Sequence, residues 1–124
     1  MNTTEALRDG TLAEKLSDIA AAGYDYIEIG AAASAELTAG EIEQIRAALQ
    51  EAGLPATRVN GLFPGDDIKV VGDKVDDAVT AAYLEKLMPK LAALGVKTVV
   101  YGSGGARRVP EGYDRTAAFG QYCD

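Results

Sequence analysis

The sequence predicts an α/β fold in which parallel strands alternate with helices. Three segments share one local pattern, the end of an amphipathic helix followed by a glycine and a short strand-like run. They read "AAGYDYIEIG" from Ala21, "EAGLPATRVN" from Glu51 and "AALGVKTVVYG" from Ala92. Strands that alternate with helices form parallel sheets through right-handed crossovers. We therefore expect parallel βα repeats, with short strands that are buried on both faces.

Each repeat places a glycine where the helix ends. Gly23, Gly53 and Gly95 occupy the position after the last helical turn, where a positive φ is needed and glycine adopts it without strain. The apolar runs that follow these glycines predict strands, near Tyr24–Gly30, Ala56–Asn60 and Val96–Tyr101.

Two helix starts carry a capping-box pattern, in which a threonine caps the N3 amide and a glutamate returns to the amide of the threonine. The patterns are "TLAE" from Thr11 and "TAGE" from Thr38. The third helix contains Pro89, which lacks a backbone donor, so we expect a kink or a break near Leu87.

Composition limits the class of protein before any site is considered. The 124 residues have the length and apolar content of one domain, and the net charge of −7 disfavours nucleic acid or an anionic membrane as partner. The first ten residues have neither the basic nor the apolar region of a secretory signal, so the cytoplasm is the expected compartment. Cys123 is the only cysteine, which excludes an intrachain disulfide.

The chain contains no histidine. A Ser-His or Cys-His nucleophile pair and a His-ligated metal site are therefore impossible within these residues. Acid or base chemistry would have to use Asp, Glu, Lys or Tyr.

Polar residues at the predicted strand ends are the first candidates for a site. Glu28 is an acid inside an apolar strand, where it either faces a ligand or forms a structural ion pair. Asn60 ends the second predicted strand and either binds a ligand or stabilises a turn. The polar segment Pro64–Asp73 follows on the same, carboxyl side of the sheet, where α/β proteins bind ligands.

The loop "GSGGAR" after the third predicted strand is the second candidate. Gly102 and Ser103 begin a stretch in which backbone amides could converge on an anion or a polyhydroxyl group. Arg107 adds a planar cationic fork for a carboxylate or phosphate. The alternative is that the arginines pair with Glu111 or Asp114 and brace the loop.

Two other kinds of site are disfavoured. The loop lacks the Lys-Ser/Thr of a P-loop and the third glycine of a dinucleotide fingerprint. Four aspartates could suggest a cation site, but their order lacks the alternating Asp/Asn/Gly pattern and is more typical of a solvated loop and a helix start. These aspartates are Asp66, Asp67, Asp76 and Asp77.

The phrases "AGYDYIEIG", "RVNGLFPGD" and above all "VVYGSGGARRVPEGYD" resemble the xylose isomerase-like TIM-barrel superfamily, in its sugar phosphate isomerase/epimerase branch. The resemblance covers roughly residues 10 to 122. It implies one partial domain over residues 1–124 that forms about strands 2 to 4 of a (β/α)8 barrel and is truncated at both ends. Such a barrel takes about 250 residues, so this chain has about half the length.

The resemblance also implies a function. In the family, a divalent metal (Mn, Mg, Co or Zn) and acid/base glutamates support enediolate-type proton transfer between ketoses and aldoses or beside a carbonyl. The metal set of two glutamates, an aspartate and a histidine belongs to later strands, so no metal ligand and no catalytic residue is assigned in this chain. Five residues would be substrate-binding residues of the pocket wall, namely Glu28, Asn60, Gly102, Ser103 and Arg107.

Two hypotheses about function therefore stand. In the first, the chain is part of a metal-dependent sugar or sugar phosphate isomerase or epimerase, inactive without the remaining strands. In the second, it is a non-catalytic α/β module that binds a small anion or sugar at the GSGGAR loop, or an oligomerising domain. Because three strands leave two open sheet edges and an uncovered barrel interior, which we expect to be apolar, we expect a homo-oligomer or a complementing chain.

Overall fold

The computed structural model describes residues 2–65 and 67–123. Within them the chain alternates helices and short strands, in an order that begins with two helices. The elements are α1 (Thr3–Arg8), α2 (Leu12–Ala21), β1 (Glu28–Gly30), α3 (Ala31–Ser34), α4 (Ala39–Ala52), β2 (Arg58–Asn60), α5 (Asp77–Ala93), β3 (Thr98–Val99) and α6 (Arg115–Cys123).

The three strands form one parallel sheet in the order β1-β2-β3. Glu28 is opposite Arg58, Ile29 is opposite Val59, and Val59 is opposite Val99. The α/β class and the parallel repeats predicted from the sequence are confirmed.

The main core lies between one face of the sheet and the helices. Ile29 and Val59 are at most 1% exposed and belong to the same buried cluster as Leu16 of α2, Ile45 of α4 and Leu87 of α5. Side chains alternate between the faces of a strand, so the residues on either side of Ile29 and Val59 lie on the opposite face. No described helix covers that opposite face, where Arg58, Asn60 and Thr98 are exposed.

The local signals at helix ends are confirmed in most places. Thr38 caps α4 by accepting from the Glu41 amide at 3.2 Å, and the Glu41 carboxylate accepts from the Thr38 amide at 2.8 Å. Gly23, Gly53 and Gly95 all adopt positive φ, between 67° and 84°. These features depend on groups within one turn of helix, which is why the sequence predicts them.

One prediction about helices is wrong, and of the kink or break expected in the third predicted helix the break does not occur. Thr11 makes no side-chain cap for α2, because its hydroxyl and amide both donate to the Asp9 carboxylate, at 2.5 and 2.9 Å. Helix α5 is not broken near Leu87 but runs through Pro89 to Ala93. Pro89 removes one donor close to the helix end, while Leu87 and Leu91 on either side of it stay buried in the core.

The strands are shorter and less buried than the sequence predicts. The runs Tyr24–Gly30 and Val96–Tyr101 yield only Glu28–Gly30 and Thr98–Val99 as strand, and both residues of β3 are exposed. The described helices cover only one face of the sheet, so the strands are not buried on both faces. Strand β3 is also at the edge of the described sheet, with β2 as its one neighbour. Helices α1 and α3, which the sequence analysis does not predict, have six and four residues.

Candidate functional site

The face of the sheet opposite the helices carries mainly polar side chains. We call it the uncovered sheet face and define it as Tyr26, Glu28, Arg58, Asn60 and Thr98. Tyr26, Arg58, Asn60 and Thr98 are exposed and Glu28 is half-buried. The expectation of an apolar barrel interior is therefore wrong for this part of the chain. One apolar residue, the exposed Val100, lies two residues after Thr98 and so points to the same face.

Glu28 and Asn60 form the central contact of this face. The Asn60 side-chain amide donates to the Glu28 carboxylate at 3.2 Å. Glu28 begins β1 rather than ending it, and Asn60, the last residue of β2, lies opposite Gly30, so the contact runs diagonally between strands. The structure thus brings together two residues that the sequence predicts as pocket wall, and the pair offers one carboxylate and one amide to a ligand.

Tyr26 and Arg58 extend the same face toward the amino ends of the strands. The Arg58 guanidinium lies 4.9 Å from the centre of the Tyr26 ring and donates to the Tyr26 hydroxyl at 3.2 Å. A guanidinium over an aromatic face is attracted to the ring, which favours this orientation of Arg58. Arg58 therefore presents its remaining donors on the face that also carries the Glu28 carboxylate.

Ser103 lies inside the structure rather than at an opening. It is 6% exposed, and its hydroxyl accepts from the buried Phe63 amide at 2.8 Å and donates to the Tyr101 carbonyl at 2.6 Å. The Ser103 amide also donates to the Tyr101 carbonyl, at 2.5 Å. In this conformation Ser103 joins the loop after β3 to the segment after β2, and its contact with a ligand stays a prediction.

The glycines of the loop have a structural reason as well. Gly105 packs directly on Gly65, so that a Cβ added to Gly105 would lie 2.6 Å from the Gly65 carbonyl oxygen. Lys69 bridges the same two residues, since its ammonium donates to the carbonyl oxygens of Gly65 and Gly105 at 2.8 and 3.1 Å. Gly102 has a φ of 55° and is exposed. The glycines of "GSGG" therefore allow this loop to contact the loop around Gly65 closely, on the carboxyl side of the sheet.

Arg107 emerges from this loop into a separate cleft of about 350 Å³ that is also lined by Arg115, Phe119 and Tyr122. No hydrogen bond or ion pair joins the Arg107 guanidinium to a described residue, so the predicted bracing by Glu111 or Asp114 does not form. The cleft and the uncovered sheet face share no lining residue.

Two tyrosines near these loops have shifted acidities. Burial raises the pKa of Tyr101, the nearby Tyr122 raises it further, and the Arg107 guanidinium opposes both effects. Burial also raises the pKa of Tyr83, with a smaller contribution from the Glu36 carboxylate. Both phenols stay protonated at neutral pH, and the Tyr83 hydroxyl donates to the Leu62 carbonyl at 2.7 Å.

Within the part of the chain that the structure describes, no three His, Cys, Asp or Glu side chains are grouped so that they could hold a metal ion. Asp76 instead caps α5 by accepting from the Val79 amide at 3.1 Å, as a helix-start role predicts. Asp66 lies outside the described residues. None of the described helices combines the length and the apolar character that crossing a bilayer requires.

Three parallel strands that alternate with helices packed on one face of the sheet are arranged as in part of a (β/α)8 barrel. The resemblance to xylose isomerase-like TIM-barrel proteins is confirmed by a solved structure. That structure is the apo form of 3-keto-D-glucoside 4-epimerase, YcjR, from E. coli, with 29% sequence identity and a TM-score of 0.52. The match covers 70% of this chain and 31% of that chain. No family model matches the sequence, and the comparison with curated proteins finds no match.

Several residues of these sites are not among the candidates predicted from the sequence. Tyr26 and Arg58 alternate with Ile27 and Val59 in the sequence, so a strict period of two would have placed them on the face of Glu28. The carbonyl contacts of Lys69 and the cleft on α6 join segments that are far apart in the chain. No local pattern indicates them.

Proposed function

We propose that this chain contributes part of the pocket wall of a sugar or sugar phosphate isomerase or epimerase. The observation that carries the proposal is the pairing of Glu28 with Asn60 on the uncovered sheet face of a chain that is similar to a 3-keto-D-glucoside 4-epimerase. In a TIM barrel this face is turned toward the interior, and the substrate lies at the carboxyl ends of the strands. The proposed substrate class is a sugar that carries a carbonyl.

The chemistry of the face suits a polyhydroxyl ligand. A sugar hydroxyl both donates and accepts, and the Glu28 carboxylate accepts while the Asn60 amide does both. Arg58 and Tyr26 lie toward the amino ends of the strands, so their contact supports this wall away from the substrate end of a barrel. Glu28 and Asn60 bind and orient a substrate, which is the role we assign to this chain.

The divalent metal that the family resemblance implies does not find its ligands here. Glu28 and Asn60 supply oxygen donors, but among the described residues no three His, Cys, Asp or Glu side chains are grouped closely enough to hold a metal ion. Epimerisation beside a carbonyl needs a positioned base and an electrophile. The role proposed for this chain is therefore substrate binding, and catalysis would need groups from the rest of a barrel.

The proposal includes a partner that completes the sheet. Among the described residues β1 and β3 each have one strand neighbour, so each presents an unpaired edge. Unpaired parallel edges are covered by further strands in a closed barrel. We expect the isolated chain to form a dimer or a larger assembly, measured by size-exclusion chromatography with light scattering. A monodisperse monomer counts against this part of the proposal.

Titration of the ¹⁵N-labelled chain with a methyl 3-keto-D-glucoside, followed by NMR, tests the binding role. We expect shifts at the Asn60 side-chain amide and at the backbone amides of β1 and β2. Glu28→Gln removes a charged acceptor and should weaken binding about tenfold. The matched control is Glu43→Gln, because Glu43 is an exposed acid whose partner is Arg46 and which lies on α4, one of the helices that pack on the other face of the sheet.

Two results would contradict the proposal. Shifts that avoid β1 and β2 at saturating ligand would place the binding elsewhere. If Glu28→Gln and Glu43→Gln weaken ligand binding equally, the net charge of the chain determines the affinity, and the pair of Glu28 with Asn60 does not. Calorimetry with Mn²⁺ on the same chain adds a separate test, since stoichiometric binding that Glu28→Gln abolishes would indicate a metal site in this chain and a larger catalytic role.

A further inference from the structure

The cleft beside α6 combines two cations with an apolar wall. It encloses about 350 Å³, which lies within the range of small-molecule sites. Its lining comes from the segment after β2, the loop after β3 and helix α6. The main contributors are Val71, Arg107, Val109, Arg115, Phe119 and Tyr122.

The two arginines of this cleft are available to a ligand. The chain has a net charge of −7, yet neither the Arg107 nor the Arg115 guanidinium forms an ion pair with a described carboxylate. The nearest acid in sequence, Asp114, is engaged in capping α6, where its carboxylate accepts from the Ala117 amide at 2.7 Å. The local charge of the cleft is therefore positive, and guanidinium groups match the geometry of carboxylates and phosphates.

The apolar wall is held in place by contacts from outside the cleft. Phe119 is 69% exposed, an unusual position for a large aromatic side chain. The Tyr122 ring packs edge-on against Tyr101 at 5.9 Å between ring centres. Gln121 anchors the helix between them, since its side chain accepts from the Gly72 amide at 2.7 Å and donates to the Gly72 carbonyl at 3.3 Å. Phe119 and Tyr122 thus line the cleft from the same anchored helix as Arg115, and Arg107 comes from the loop after β3.

We propose that this cleft binds a small organic anion that carries a planar apolar group, such as an aryl phosphate or an aryl carboxylate. The anionic group contacts Arg107 and Arg115, and the planar group packs against Phe119 and Tyr122. The cleft and the uncovered sheet face have no residue in common, although Arg107 is one of the five residues to which the family resemblance gives a substrate-binding role.

Calorimetry and ¹⁵N NMR with phenyl phosphate test the proposal, with benzoate, inorganic phosphate and phenol as comparison probes. We expect phenyl phosphate and benzoate to bind at least about tenfold more tightly than phenol, since a charge-assisted hydrogen bond is lost in phenol. Phe119→Ala should weaken phenyl phosphate and leave inorganic phosphate unchanged. Arg107→Gln and Arg115→Gln should each weaken both phosphates, by about tenfold.

Arg108→Gln is the matched control, because Arg108 is exposed, follows Arg107 directly and lines a different cleft. Equal losses in Arg107→Gln and Arg108→Gln would overturn the proposal by showing diffuse attraction. Shifts from phenyl phosphate that avoid α6 would overturn it as well. All three arginines are exposed, so their substitution should not disturb the fold. Amide spectra that match those of the unsubstituted chain will establish this for each variant. Glu28→Gln should leave phenyl phosphate binding intact, which separates this test from that of the sheet face.

Discussion

Gly105→Ala tests whether the glycine-rich loop exists for a contact between backbones. The added Cβ would lie 2.6 Å from the Gly65 carbonyl oxygen, 2.7 Å from its Cα and 2.8 Å from its carbonyl carbon. The first of these distances is about 0.8 Å shorter than an ordinary van der Waals contact. All three atoms are backbone, so no side-chain rotation can relieve the clash and the two loops must separate.

The cost follows from what this separation disturbs. Lys69 donates to the carbonyl oxygens of both Gly65 and Gly105, and Ser103 joins the same loops through Phe63. Overpacking a tight contact costs about 1–3 kcal/mol, so we expect the free energy of unfolding to fall by about 2 kcal/mol. For a domain of this length the melting temperature should drop by about 8 °C.

Thermal and urea unfolding, followed by circular dichroism, measure this loss. Gly104→Ala is the matched control, because among the described residues a Cβ at Gly104 would meet only the Gly102 carbonyl oxygen, at 4.0 Å, and Gly104 has no positive φ. We expect the control to keep or slightly raise the stability, since alanine restricts the unfolded chain. If Gly104→Ala and Gly105→Ala lose the same stability, the loop glycines serve flexibility and the contact argument is refuted.

Three further predictions concern single side chains. Ser103→Ala leaves the buried Phe63 amide without its acceptor and should lower the free energy of unfolding by about 1–3 kcal/mol in urea titrations. Gln121→Ala removes both side-chain bonds to Gly72, so amide hydrogen exchange within α6 should accelerate at least about tenfold. The pKa of Glu41 is lowered from 4.5 to about 2, first by its bond with the Thr38 amide and then by Arg8. Its stabilising contribution is therefore complete above pH 4.5 and is lost as the pH falls toward 2, and Glu41→Gln should remove that part of the acid dependence.

Each of these predictions has its own control. Ser17→Ala, on the exposed surface of α2, should change stability by less than about 0.5 kcal/mol. Exchange of the α4 amides should not respond to Gln121→Ala, and a uniform acceleration would indicate global destabilisation instead. Glu43→Gln, on the same helix as Glu41, should retain the acid dependence, and its loss in both variants would exclude a specific role of the capping box.

The order and class of the main elements could be predicted from the sequence. The Thr38 capping box and the positive φ of Gly53 arise from groups within one helical turn, so local chemistry is sufficient for them. The same local argument fails at Thr11. Its capping pattern is present in the sequence, but Asp9 lies two residues before it and takes both of its donors.

The candidate site was predicted in part. Glu28 and Asn60 do contact each other, because both belong to strands whose register places them on one face. Arg107 lies in a cleft with residues of α6 that no motif indicates. Ser103 has the polar character of a binding residue, but the tertiary structure directs its hydroxyl into the joint between two loops.

The sequence by itself determined the parallel βα pattern, the helix ends and the exclusion of histidine chemistry, since each depends on composition or on neighbours a few residues apart. Only the tertiary structure decided which strand face is covered, that Gly105 meets Gly65, and that α6 is anchored at Gly72. Those contacts join positions 40 and 49 residues apart in the chain. Bringing such distant positions together costs chain entropy, which only the packing of the whole sheet and its loops offsets. Neighbouring residues in the sequence therefore do not indicate these contacts.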